Sequence, residues 1–136
     1  MVVSKITRAF IIAAVALFMC GCGSEHSDDP SMAAAEAARH YYDCLSKGQY
    51  AEYVSGLYKP DSIPDSYRSQ LELNAEMFME QQQKEHGGIK KVRIYNCKAD
   101  TARRIANAFL TIDYGNGSSE EVVVPMVKAG SRWLMK

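Results

Sequence analysis

Side chains that could bind a metal ion or transfer protons are few and scattered in this chain. The histidines are His26, His40 and His86, and the cysteines are Cys20, Cys22, Cys44 and Cys97. They lack the close ligand spacing of a metal site. The chain also has no nucleophile elbow, phosphate loop or dinucleotide fingerprint. We therefore predict no metal, no cofactor and no assignable catalytic residue.

Two residues remain as candidates for acid or base chemistry. Asp113 has the opposite strand parity from Leu110 and Ile112, which predicts that it points outward. His40 adjoins the apolar side of a predicted helix and is interpreted as a solvent-exposed residue that flanks this side. We expect a binding domain without enzymatic activity, and the alternative is a small cavity enzyme of isomerase-like or hydrolase-like type.

Composition fits one globular domain. The chain has 136 residues, of which 47% are hydrophobic and 24% charged, and its formal net charge is zero. One basic concentration stands out, formed by Lys90, Lys91, Arg93, Lys98, Arg103 and Arg104. In a chain without net positive charge this is interpreted as a solvated outer face, and no nucleic-acid partner is predicted.

The first 22 residues predict export. Lys5 and Arg8 precede an uninterrupted apolar run over residues 9–19, which is the layout of a secretory signal peptide. The run is too short to span a bilayer, which takes about 20 residues. The stretch Met19-Cys20-Gly21-Cys22 then resembles the lipobox of bacterial lipoproteins. The resemblance implies lipidation at Cys22, with Cys20 as the alternative, and a membrane anchor of several acyl chains.

Residues 23–31 contain no apolar side chain and are predicted to form a polar tether. Their acids Glu25, Asp28 and Asp29 resemble a surface-sorting signal of some Bacteroidetes lipoproteins, although a plain linker explains them too. We therefore divide the chain into a signal peptide (1–22), a tether (23–31) and a folded domain (32–136). We expect an exported cell-envelope lipoprotein at the outer membrane, with the periplasmic or surface side left open.

Three helices are predicted in the first half of the domain. Residues 32–47 place Ala34, Ala38, Tyr41 and Leu45 on one side, with Asp29 or Ser31 as cap. A second short helix begins at residue 50. A third runs from residue 64 to the Gly87-Gly88 break, with Ser62 and Asp65 as a capping box and burial on more than one side.

Alternating strands are predicted in the second half. Residues 90–98 put Val92, Ile94 and Asn96 toward the helices and Arg93, Tyr95 and Cys97 away from them. Residues 104–114 turn Ala106, Ala108, Leu110, Ile112 and Tyr114 inward. Strands over 121–128 and 132–135 follow, and Pro125 predicts an edge or a bulge.

This order of segments, with Gly87-Gly88-Ile89-Lys90, Asp113-Tyr114-Gly115-Asn116-Gly117 and the final Trp133, resembles a known group. It is similar to small lipoproteins of unknown function in the nuclear-transport-factor-two-like superfamily, over residues 32–136. The resemblance implies an α+β fold with N-terminal helices packed in the concave face of a curved three- to four-stranded antiparallel sheet. Relatives use the resulting cone for small ligands, catalysis or dimer contacts.

Two surfaces are candidates for binding a small ligand or a protein. The predicted pocket lining consists of Tyr41, Leu45, Tyr53, Ala106, Ala108, Leu110 and Trp133, although the two alanines could instead let a helix approach closely. The predicted interface on the outer sheet face consists of Arg93, Tyr95, Ile105 and Phe109, and a homodimeric structural lipoprotein is a further alternative. A disulfide between Cys44 and Cys97 requires a bulge or a sheet edge.

Overall fold

The structure is a computed structural model that describes residues 29–136. The predicted signal peptide, Cys20 and Cys22 of the lipobox, and the tether as far as residue 28 lie outside the described residues. Three helices come first and four strands follow. They are α1 (Pro30–Ser46), α2 (Tyr50–Ser55), α3 (Asp65–His86), β1 (Ile89–Asp100), β2 (Ile105–Tyr114), β3 (Ser119–Ala129) and β4 (Arg132–Met135).

The strands form one antiparallel sheet in the order β1-β2-β3-β4, so each strand pairs with its neighbour in the chain. Tight hairpins suffice to join antiparallel neighbours. Beyond β4, the backbone N–H of Tyr58 donates to the carbonyl oxygen of Met135 at 2.6 Å, and Leu57 forms a parallel bridge with Met135. The predicted α+β class, with helices against the concave face of an antiparallel sheet, is confirmed.

The first helix is the element on which the sheet packs. It begins at Pro30, because the carboxylate of Asp29 accepts a hydrogen bond from the backbone N–H of Ser31 at 3.0 Å and proline suits the first turn. Its main contacts are with β1 and β2. Its buried side chains are mostly small: Ala34, Ala35, Ala38, Tyr41, Cys44 and Leu45.

The second strand supplies the centre of the core. As predicted, its buried residues alternate without a break, and they are Ala106, Ala108, Leu110, Ile112 and Tyr114. Ala106 and Ala108 belong to the same apolar cluster as the alanines of α1. Because both the helix and the strand present small residues at their contact, α1 can approach the sheet closely at normal packing density.

The first strand departs from the prediction halfway along. A β-bulge at Tyr95, between Ile94 and Asn96, adds one residue to β1 and reverses the alternation beyond it. Asn96 is therefore exposed, and Cys97 packs against the core. The predicted inward Asn96 and outward Cys97 are wrong because strand parity does not continue through a bulge.

The third helix lies on the outside of the domain. Its N-cap is Pro64, without a side-chain hydrogen bond, so the predicted capping box of Ser62 and Asp65 is wrong. The predicted burial on more than one side is also wrong, because α3 contacts mainly α2 and touches α1 and β1 only lightly. Ala75 is its one buried residue, and its exposed apolar side chains are Tyr67, Leu73, Met77 and Phe78. No helix within residues 29–136 is long and apolar enough to cross a membrane.

Pro125 lies inside β3, in regular register with β2 and without the predicted alternative of a bulge. Its carbonyl oxygen accepts a hydrogen bond from the backbone N–H of Lys136 at 2.9 Å. Because the carbonyl and the nitrogen of a residue in an antiparallel strand point to the same side, the Pro125 nitrogen, which has no hydrogen to donate, also faces the end of β4. From residue 119 to 124, β3 has no partner strand on that side in the described part of the chain. The predicted edge position therefore holds for this half of the strand.

Candidate functional site

The seven side chains predicted to line a pocket lie on the concave side of the sheet. Tyr41, Leu45, Ala106, Ala108, Leu110 and Trp133 are buried, and Tyr53 is half-buried. The Tyr41 hydroxyl donates to the carbonyl oxygen of Trp133 at 3.0 Å, and a Cβ on Gly56 would overlap the Tyr41 ring. Most of these side chains therefore pack between α1 and the sheet. Ala106 also borders a surface cavity of about 330 Å³, and Trp133 borders one of about 310 Å³.

A polar and aromatic group, of which only Tyr53 is among the predicted pocket residues, lies where α1, α2 and the end of α3 meet the β2–β3 hairpin. It consists of Tyr42, Tyr53, His86, Tyr114 and Glu120, and it is referred to below as the tyrosine cluster. The Tyr114 hydroxyl donates to Oε2 of Glu120 at 2.6 Å. The His86 ring stacks on the Tyr114 ring with centroids 4.4 Å apart, and Tyr42 meets Tyr53 edge to face at 6.4 Å.

One signal could have located Glu120 in this cluster. Glu120 pairs with Ile112, which is buried, so it has the strand parity of the inner face of β3. The sequence prediction began this strand at residue 121, one residue too late to include Glu120. The carboxylate itself remains exposed at the rim of the cone.

Glycines hold the end of α3 against the β2–β3 hairpin. The backbone N–H of Asn116 donates to the carbonyl oxygen of His86 at 2.9 Å, and that of Gly115 donates to Gly88 at 2.8 Å. Gly87 ends α3 with a φ of +76°, which favours glycine. A Cβ on Gly115 would overlap the carbonyl oxygen of Gly87, so this approach also requires glycine.

The tyrosines of the cluster are held in their neutral form. Burial raises the pKa of Tyr42 to about 12, and the charges of Tyr53 and Glu120 add to the rise. Burial and the hydrogen bond to Glu120 raise the pKa of Tyr114 to about 12. Burial also raises the pKa of Tyr53. The three phenols are therefore hydrogen-bond donors at neutral pH, not bases.

His40 lines a separate cleft of about 650 Å³ between α1 and α2. Its Nε2 lies 3.6 Å from Oε1 of Glu52 and 3.6 Å from Sγ of Cys44, and its side chain is 58% exposed, in agreement with a solvated flank. Burial, with a contribution from Glu52, raises the pKa of the Cys44 thiol, which disfavours the nucleophilic thiolate. Within residues 29–136, no group of three or more His, Cys, Asp or Glu side chains is arranged to hold a metal ion.

The outer face of the sheet presents a run of apolar side chains. Phe109 pairs with Val123 on β3 and lies opposite the bulge at Tyr95, so these three residues stand side by side across the sheet. Tyr95 is 65% and Val123 54% exposed, and Ile105 lies further along the same face of β2. Tyr95, Ile105, Phe109 and Val123 are referred to below as the outer apolar patch. Sequence reasoning found three of them and missed Val123.

Arg93, the fourth predicted interface residue, forms an ion pair next to this patch. Its Nε and Nη2 donate to the two carboxylate oxygens of Asp113 at 2.7 and 2.8 Å, and the Ser119 hydroxyl donates to the same carboxylate. Arg93 holds the pKa of Asp113 well below its usual range. Asp113 thus lies on the outer face, as its parity predicts, and does not reach the interior of the cone.

Cys44 and Cys97 are both free thiols. Cys97 borders a cleft with Asp29 and Ala35 at the beginning of α1, whereas Cys44 lies near the end of that helix. The nine residue-to-residue steps from Ala35 to Cys44 span about 14 Å of helix, which is beyond the reach of a disulfide. The bulge in β1 brings Cys97 to the core but not to Cys44.

The arrangement described above is an α+β cone of the NTF2-like (nuclear-transport-factor-two-like) type. The chain is similar to a solved structure from Campylobacter jejuni whose name gives it as a candidate NTF2-like transpeptidase. The TM-score is 0.59 at 13% identity, and the match covers 74% of this chain and 94% of that chain. At this identity the likeness shows the fold alone. No family model matches the chain, and no curated protein matches it.

Proposed function

We propose that this chain is a lipid-anchored binding or scaffolding domain of a bacterial cell envelope that engages a protein partner through the outer apolar patch. The observation that carries the proposal is the exposure of this patch. Tyr95 and Val123 are each more than half exposed, on the sheet face opposite α1. Contiguous exposed apolar surface is a common mark of a protein interaction site.

The surroundings of the patch also support a protein partner. The ion pair of Arg93 and Asp113 stands on one side of it, and Lys98 and Asp100 are exposed on the other side. An apolar centre with a charged rim is the usual composition of a protein interface. The inner side of the sheet, by contrast, is packed, and none of the side chains buried in the described part of the chain is charged.

The patch can be tested by placing a photo-crosslinking amino acid at position 95 of the full chain in its host. We expect a discrete adduct that Val123→Glu abolishes, because a charge in the patch opposes apolar docking. Leu73→Glu is the matched control, since Leu73 is 47% exposed on α3, away from the sheet. An adduct of twice the chain's mass would identify a second copy as the partner. An adduct unaffected by Val123→Glu would contradict the proposal.

The anchor has its own test, since Cys22 is proposed as the lipidated residue. Metabolic labelling with a fatty-acid analogue should mark the wild-type chain and the Cys20→Ala control. Cys22→Ala should lose the label and leave the membrane fraction. If Cys22→Ala is still labelled and stays in the membrane fraction, lipidation at Cys22 is refuted.

The tyrosine cluster favours a second candidate function, a small cavity enzyme of hydrolase-like type. The Glu120 carboxylate is hydrogen-bonded to Tyr114 and lies near Tyr42 at the rim of the cone. On the inner side of the described sheet, this is the one place where a carboxylate and phenol groups lie together. Hydrolysis of an ester panel that is lost in Glu120→Gln would favour this function. Retention of the same hydrolysis in Glu120→Gln would contradict a catalytic role of the tyrosine cluster.

A further inference from the structure

A small pocket at one pole of the domain combines two cations with the indole of Trp133. Its volume is about 310 Å³, and Pro30, Thr101, Arg104, Lys128 and Trp133 line it. The β1–β2 loop, the β3–β4 hairpin and the first residue of α1 meet there. The volume is at the lower end of the range for small-ligand sites.

Hydrogen bonds with backbone groups tie Arg104 to Lys128 and to the β3–β4 hairpin that carries Trp133. Lys128 pairs with Trp133 across β3 and β4, and its Nζ lies 6.0 Å from the centre of the Trp133 ring. The carbonyl oxygen of Arg104 accepts a hydrogen bond from the backbone N–H of Lys128 at 2.9 Å. The Arg104 guanidinium uses Nη2 to donate to the carbonyl oxygen of Gly130 at 2.9 Å. Within residues 29–136 this is the one hydrogen bond of the guanidinium, which has five N–H groups in all.

The backbone at Arg104 is itself unusual. It has a φ of +57°, a left-handed conformation found here for no other non-glycine residue within the described residues. Asparagine or glycine would be the less strained choice at such a position. Strain of this kind often marks a functional residue, and here it places a guanidinium beside Lys128.

The charges of this pole are unbalanced. Neither Arg104 nor Lys128 forms an ion pair with a carboxylate of residues 29–136. Asp100, four residues before Arg104, pairs with Arg103, and Asp29, which precedes the pocket residue Pro30, caps α1. Two cations without a carboxylate partner, next to an aromatic ring, suit an anionic group attached to a less polar body.

We propose that this pocket binds a phosphate ester, with Arg104 and Lys128 holding the phosphate and Trp133 contacting the group attached to it. A phosphate diester carries one negative charge and a monoester carries up to two, so either suits a pair of cations, and Arg and Lys are the usual phosphate-binding side chains. The same chemistry is offered by a soluble phosphate ester and by a phospholipid headgroup. The inference does not depend on the outer apolar patch.

The single tryptophan of the chain makes the test direct, because all indole emission comes from Trp133. The full chain, held in an uncharged detergent, is titrated with glycerol phosphate and with short-chain phosphatidylglycerol, against matched sodium chloride. We expect a saturable change in emission. Lys128→Gln should raise the half-saturating concentration at least tenfold, because a charge-assisted contact is lost.

Two further variants keep the test decisive. Arg104→Asn removes the guanidinium at a position where asparagine tolerates the backbone, so it serves if Lys128→Gln does not fold. Lys98→Gln is the matched control, an exposed lysine of β1 that borders a different cavity. Saturation by glycerol phosphate supports a soluble ester, and a response confined to phosphatidylglycerol supports a headgroup. The proposal is overturned if emission follows chloride alone, or if Arg104→Asn keeps the wild-type half-saturation.

Discussion

Replacing Tyr114 by phenylalanine removes one hydroxyl from the tyrosine cluster and leaves the ring that stacks on His86 in place. The lost hydrogen bond joins a buried phenol to the Glu120 carboxylate at 2.6 Å. Hydrogen bonds to charged groups contribute about 1.5 to 3 kcal/mol, and the exposure of Glu120 reduces this to about 1 to 1.5 kcal/mol. For a domain of this size, Tyr114→Phe should lower the melting temperature at neutral pH on the order of 5 °C.

The same substitution should change the response to alkali. Tyr42 and Tyr114 each have a pKa raised from 10 to about 12 in the folded chain. Their contribution to stability is therefore fully present below pH 10 and is lost as the pH rises through 12. Two pKa units correspond to at most about 2.7 kcal/mol per phenol, and solvent screening of the partly buried Tyr42 and of the Tyr114 hydroxyl beside the exposed Glu120 reduces this to on the order of 1 to 2 kcal/mol. The variant keeps the contributions of Tyr42 and of Tyr53, whose pKa burial also raises, so its loss of stability between pH 10 and pH 12 should be smaller than that of the wild type.

The first effect can be measured by thermal unfolding at neutral pH and the second by urea unfolding from pH 10 to pH 12, with near-ultraviolet circular dichroism as the probe in both. Tyr67→Phe is the matched control, because Tyr67 is 50% exposed on α3 and should behave as the wild type. The reasoning is refuted if Tyr114→Phe and Tyr67→Phe have the same melting temperature at neutral pH and lose stability equally in alkali.

One further substitution and one chemical modification test the packing of α1. Gly56→Ala should destabilise the chain by about 1 to 3 kcal/mol, because its Cβ would overlap the Tyr41 ring in the core. The control is Ser55→Ala at the neighbouring half-buried position, and equal urea midpoints for the two variants would contradict the assigned contact. Alkylation followed by peptide mass spectrometry should modify Cys97 well before Cys44, because the Cys44 thiol is only 3% exposed. Faster labelling of Cys44, or a Cys44–Cys97 bridge in the untreated chain, would show that α1 does not pack as described.

Local periodicity was sufficient to predict most of the elements. The alternation in β2 and the helical spacing in α1 follow from backbone geometry alone, because side chains alternate in a strand and recur every three to four residues in a helix. These two patterns supplied the core, including Ala108, Leu110 and Tyr41. They also supplied the outward position of Asp113, which holds because β2 has no bulge between it and Leu110.

The tertiary structure decided which of these patterns continue and which residues meet. A bulge has no compositional signature in β1, so only the pairing with β2 reveals that Cys97 turns inward after Tyr95. The apolar residues of α3 indicated a buried helix, yet the concave face is already occupied by α1 and leaves α3 outside. The tyrosine cluster and the pole pocket draw their members from three or more segments each. Such groupings depend on contacts between distant parts of the chain, which local spacing does not encode.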